Sequence, residues 1–157
     1  MSKFQIRIEE LPPMRVAVFR GYGLTPEMEA HRQVEAFARE KGLIDQDNRI
    51  KTFGYNHPAP WVTTNDEYGY EIWLVVGPEA EVPGYVLTMQ YPGSKCAVTS
   101  IERLADIGEA WEYLYNWVKD SKEFQHAQMS GLEEVLSPLG TSEEEFKFNL
   151  YLPVVSA

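Results

Sequence analysis

Tyr68-Gly69-Tyr70-Glu71-Ile72-Trp73 is the stretch in which residue types and spacing most clearly permit chemistry. Strand alternation puts Glu71 on the same face as Trp73 and sends Tyr70 and Ile72 to the other. A carboxylate beside an indole suits a cation, because the ring face attracts positive charge. Buried without a partner, such a carboxylate either holds a proton at raised pKa or waits for a positively charged ligand. The competing account is that Glu71 reaches solvent from an edge strand.

Further along the chain, Phe148 and Leu150 share one strand face and Asn149 and Tyr151 the other, so that an amide and a phenol point together. Trp111 and Tyr115 stand four apart, on one face of a helix, where packing against a sheet is the alternative to ligand contact. The histidines, His31, His57 and His126, lack paired metal-ligand spacing. His31 reads as a solvated or partly packed helix residue, and His57, before Pro58, as a loop residue. Phosphate-loop, dinucleotide, zinc-protease and G-x-S-x-G motifs are absent, so neither metal nor cofactor is expected.

With 24 Asp and Glu against 14 Lys and Arg, the surface repels phosphate backbones, and direct nucleic-acid binding is not expected. The single cysteine, Cys96, cannot form an intramolecular disulfide, which fits a reducing, cytoplasmic setting. Met1 to Glu10 lacks the features of a signal peptide, and no apolar run approaches the ~20 residues needed to span a bilayer, so no membrane partner is expected. Four Trp, nine Tyr and seven Phe are more rings than catalytic or structural motifs explain, and some should face a ligand while others fill a core.

The elements that position these side chains follow from periodicity. Gln5 to Glu9 and Arg15 to Arg20 alternate as strands about Leu11-Pro12-Pro13, which cannot continue a ladder. Thr25-Pro26-Glu27-Met28 opens a helix with an N-cap hydroxyl, proline at the first helical position and acids in the first turn. Its apolar positions are Ala30, Val34, Phe37 and Ala38, and Lys41-Gly42 closes it. Ile50 to Tyr55 and Tyr70 to Val76 read as strands, separated by a loop containing His57-Pro58-Ala59-Pro60-Trp61. After Gly77-Pro78 and Pro83-Gly84 the order returns: Tyr85 to Tyr91, a Pro92-Gly93 turn, Lys95 to Ile101, and a helix from about Asp106 to Ser121. A segment near Leu132 to Leu136 and a strand from Phe146 to Leu152 complete it. The reading is α+β: one domain over residues 1–157 with ββαββ repeats at about 1–77 and 84–157. Each repeat has an antiparallel sheet and one main helix, and a ligand cleft lies where they meet.

This order of segments resembles the GyrI-like small-molecule-binding domains, also found as effector-binding domains of multidrug-responsive transcription activators. Five stretches carry the resemblance: Pro12-Pro13-Met14-Arg15-Val16-Ala17, Tyr70-Glu71-Ile72-Trp73, Pro92-Gly93-Ser94-Lys95-Cys96-Ala97-Val98, Ala110-Trp111-Glu112-Tyr113-Leu114 with Trp117, and Leu150-Tyr151-Leu152-Pro153-Val154. It implies a pseudo-twofold pair of β-α-β-β modules around an aromatic cleft with acidic groups at its centre. In the family the residue two before the final tyrosine is commonly acidic, and here it is Asn149. Glu71 and Glu133 remain as carboxylates.

Two functions follow as expectations. One is a stand-alone sensor or sequestering module for apolar or cationic organic ligands, without a DNA-binding part and with gyrase or another protein as a possible partner. Its ligand would stack on Phe19, Trp73 or Trp111, with a cationic centre near Glu71 and with Tyr115, Glu133, Asn149 and Tyr151 as further contacts. The other, implied by the resemblance of some family members to hydrolases of strained cyclopropane rings, assigns Glu71 to activate water and Tyr151 to orient or protonate the carbonyl. Asn149 counts against it. A plain protein-contact domain is the third reading.

Overall fold

The structure, a computed structural model, describes residues 3–57 and 67–157, so Pro58, Pro60 and Trp61 of the expected loop lie outside the described residues. Its contacts divide the chain into two compact units: Met14–Tyr91, and Met1–Pro13 together with Pro92–Ala157. The class is α+β, with antiparallel strands and one α-helix in each unit.

The Met14–Tyr91 unit contains β2 (Met14–Gly23), α1 (Pro26–Lys41), β3 (Thr52–His57), β4 (Tyr68–Val76) and β5 (Leu87–Tyr91). The strands lie in the order β3-β4-β2-β5. Ala17, Phe19, Tyr70, Ile72 and Leu74 face α1 and bury Ala30, Val34, Phe37 and Ala38, the apolar stripe expected of the helix. Pro26 stands at the first helical position, and Gly42 closes the helix in the left-handed conformation at φ 66°. Thr25 occupies the N-cap position, but its hydroxyl makes no capping bond, a departure from the sequence expectation. His57 ends β3 instead of lying in a loop.

The other unit contains β1 (Arg7–Leu11), β6 (Ser94–Ile101), α2 (Ile107–Asp120), β7 (Phe124–His126), β8 (Leu132–Val135) and β9 (Phe148–Ser156). Its strands run β1-β6-β9-β8, with β7 also pairing with β9. Phe148, Leu150, Leu152 and Val154 face Ala110, Leu114 and Val118 of α2. Three-residue β7 carries too short a pattern to have been read from sequence.

Neither proline turn closes a hairpin, contrary to expectation for Pro92-Gly93. β1 pairs with β6, Leu11 opposite Ser94, while β2 pairs with β5, Met14 opposite Tyr91. A Cβ on Gly93, which has φ 88°, would lie 3.0 Å from the Leu11 carbonyl oxygen and 3.1 Å from Pro13. With no N–H on either Pro12 or Pro13, a ladder cannot run through their link.

Candidate functional site

Glu71 is the focus of the Met14–Tyr91 unit. It lies on β4, between β2 and β3, with Arg20 opposite on one side and Tyr55 on the other. Cross-strand partners share a face, so register alone brings a guanidinium, a carboxylate and a phenol together. Trp73 joins them from two residues along the same strand, as alternation predicted. Arg20 Nε donates to Glu71 Oε1 at 2.5 Å, while Tyr55 Oη and Trp73 Nε1 both donate to Oε2 at 2.6 Å. Tyr55 meets the Trp73 ring edge-on at 5.5 Å, and Tyr91 lies tilted against the same ring at 5.5 Å.

Two premises about Glu71 are corrected by this geometry, its edge position and its lack of a partner. The residue is only 2% exposed and sits on an interior strand, so it does not reach solvent from an edge. Nor is it unpaired: burial alone would raise its pKa, but the bonds from Tyr55, Arg20 and Trp73 together hold the carboxyl below the ordinary value of 4.5. Burial and the adjacent carboxylate push the Tyr55 phenol well above its usual range. A depressed carboxyl pKa contributes stability above the unfolded value, and that contribution is lost as pH falls through the folded one. Wild-type protein should therefore lose more stability than Glu71→Gln between about pH 5 and pH 3, as read by urea denaturation. Equal slopes for the two proteins would mean that Glu71 is not ionised in the fold.

The other unit carries a second polar cluster on the sheet face away from α2. The Tyr151 hydroxyl donates to Glu134 Oε1 at 2.6 Å. Asn149 Nδ2 donates to the Tyr151 oxygen at 3.3 Å, and Asn149 Oδ1 accepts from Ser100 Oγ at 2.5 Å and from an Arg7 Nη at 3.3 Å. Burial first, and then Glu134, raise the Tyr151 pKa well above the usual tyrosine range. The expected meeting of Asn149 with Tyr151 is found.

The carboxylate that joins them is Glu134, opposite Asn149 in the β8–β9 register, and not Glu133. Glu133 faces the other way and accepts the Trp111 indole N–H at 2.9 Å. Trp111 lies 5.9 Å from Tyr115, which also meets His126 edge-on. Gly131 leaves room for the indole, since a Cβ there would stand 2.7 Å from it. Phe19 is opposite Ile72, on the α1 face, and so is turned away from Glu71. His31 is partly buried against Tyr70, and burial lowers its pKa.

Arg20, Tyr55 and Glu134 were not singled out from the sequence. Their signal was register: each is directly opposite a residue that was, but pairing partners become visible only once strand order is known. Among the described residues no three His, Cys, Asp or Glu side chains gather as metal ligands, and no helix is long and apolar enough to cross a membrane.

Residues 7–154 match the family of integron-associated effector-binding proteins. The SPbeta prophage-derived protein YosT of Bacillus subtilis (strain 168), described as a transcriptional regulator, is 24% identical over 116 residues, covering 73% of this chain and 78% of YosT. Among solved structures, the C-terminal domain of EcmrR superposes with a TM-score of 0.70 at 15% identity, over 99% of this chain and all of that one. In the EcmrR–DNA complex, this chain spans 58% of the longer EcmrR chain. SAV2435 bound to tetraphenylphosphonium gives a TM-score of 0.60 at 10% identity, over 96% and 94% of the two chains. A hydrolase from Listeria innocua gives 0.66 at 13%, over 96% and 92%. The family match settles membership and the structural neighbours share the fold: the chain belongs to the integron-associated effector-binding proteins and has the GyrI-like fold.

Proposed function

We propose that this chain binds an organic cation with an aromatic or apolar body on the sheet face that carries Glu71, Tyr55 and Trp73. The observation that carries this reading is the buried carboxylate whose partners include two aromatic donors. Donating N–H and O–H to an anion enriches the donor rings in electron density, which strengthens their attraction for a cation. Arg20 supplies the resting counter-charge and is 41% exposed, so a ligand cation can replace it from the solvent side. Tetraphenylphosphonium, the ligand of SAV2435, has the required chemistry.

Binding is favoured over turnover. Both Glu71 oxygens already accept hydrogen bonds and the carboxyl is held below its ordinary pKa, which makes it a poor base for activating water. The Tyr151 hydroxyl is likewise engaged by Glu134.

The two units are, in this reading, copies of one duplicated module. Register supports it: Arg20, Glu71 and Tyr55 are aligned across β2, β4 and β3, as Ser100, Asn149 and Glu134 are across β6, β9 and β8. The offsets are 80, 78 and 79 residues, from the differences between those positions. The domain acts as a sensor or sequestering module, without direct nucleic-acid contact of its own.

The test is tetraphenylphosphonium titration followed by tryptophan fluorescence. Saturable quenching is expected in wild type, and Trp73→Phe should lose most of the signal change while binding weakens by about threefold to tenfold. No saturable binding, with the melting temperature unaffected by ligand, would remove the reading.

A further inference from the structure

Beside α1 lies a groove that shares Arg20 with the Glu71 cluster but contains none of Glu71, Tyr55 and Trp73. Along β2, pairing with β4 continues to Gly23, but pairing with β5 stops at Val18 opposite Leu87. Where β5 ends, a groove of about 580 Å³ runs between the β2 edge, residues 85–87 and one side of α1. Its volume lies within the range of small-molecule sites. Phe19 and Phe37, tilted against each other at 5.3 Å, line it, and Ala36 leaves the helix side shallow. Tyr85, in the turn before β5, and Leu87, the first residue of β5, line it too and are 82% and 57% exposed.

Charge decides the ligand class. Arg20 and Arg32 reach this groove, but each is already neutralised, by Glu71 and by Glu29. Glu40 lies eight residues beyond Arg32, about 12 Å along the helix. Being exposed and screened by solvent, it adds little attraction for a cation and little repulsion of an anion. Gln33 also lines the groove, but its amide N–H groups are donated to the Arg20 carbonyl oxygen and to Glu29, so what remains is chiefly apolar and aromatic contact.

We infer that this groove binds an uncharged planar aromatic molecule of roughly two or three rings, at a site separate from the cation site proposed above. The inference does not rest on that reading. A ligand seated between Tyr85, Leu87 and Ala36, with the buried Phe19 and Phe37 beneath, gains mainly from burying the exposed rim, and its affinity is insensitive to salt.

The probe is N-phenyl-1-naphthylamine, neutral at pH 8 and fluorescent in apolar surroundings, titrated into the full chain. Saturable enhancement is expected for wild type. Ala36→Phe, at an exposed helix position, fills the groove and should weaken binding at least tenfold with an unchanged melting temperature. Should that variant melt early, Leu87→Ser gives the same test from the exposed rim. Excess tetraphenylphosphonium should leave the probe bound. Absence of saturable enhancement in wild type, full affinity in both variants, or stoichiometric displacement by tetraphenylphosphonium would each overturn the site. Probe binding by a protein that ignores tetraphenylphosphonium would remove the cation reading and leave this one standing.

Discussion

Arg20→Met is expected to tighten tetraphenylphosphonium binding by about tenfold, and Glu71→Gln to weaken it by about tenfold or more. The opposite signs come from one pair of atoms. Arg20 Nε and any ligand cation compete for the same Glu71 charge, so removing the internal cation removes the competitor. Methionine keeps much of the aliphatic stem of arginine and its packing. Its cost falls on the free protein: Glu71, 2% exposed, keeps only the Tyr55 and Trp73 donors, and stability should drop by about 2 to 4 kcal/mol. Because ligand restores the missing charge, the melting temperature of Arg20→Met should rise more on adding tetraphenylphosphonium than that of wild type. Isothermal titration calorimetry on the three proteins measures the signs. Weakening by both substitutions would show that Arg20 supports the ligand instead of standing in for it, and the exchange mechanism would be abandoned.

Gly21→Ala should lower the melting temperature by about 6 to 12 °C, equivalent to about 3 kcal/mol. Gly21 lies on β2 where the chain turns toward α1, and a Cβ there would come within 2.1 Å of the Pro26 carbonyl oxygen and 3.0 Å of the Ala30 nitrogen. Both are backbone atoms of the helix, so no side-chain rotation relieves the contact. Either α1 moves off the sheet, exposing part of the core around Val34 and Phe37, or β2 shifts out of register with β4. Gly77→Ala, where an added Cβ meets nothing within 4 Å, is the matched control and should melt close to wild type. If the two variants melt alike, the close approach of strand and helix does not govern the stability of this unit.

The sequence by itself determined the element types and most of their faces. Period-two alternation in Tyr70 to Trp73 and Phe148 to Tyr151 separates core from polar positions, because a strand has only two faces. The apolar spacing of α1, the proline that opens it and the glycine that closes it are equally local, and the helix runs from Pro26 to Lys41 as they indicate. Glu71 beside Trp73, and Asn149 beside Tyr151, were legible for the same reason. What only the tertiary structure decided was which strands are neighbours. Sequence adjacency favours hairpins at Pro12-Pro13 and Pro92-Gly93, yet β1 pairs with β6 and β2 with β5, and no local pattern encodes a partner some 85 residues away. Arg20, Tyr55 and Glu134 entered the polar clusters through register alone, and with Tyr55 and Arg20 came the sign of the Glu71 pKa shift. A carboxylate's charge state depends on what stands within a few ångströms of it, and that is a property of the assembled sheet rather than of the strand that bears it.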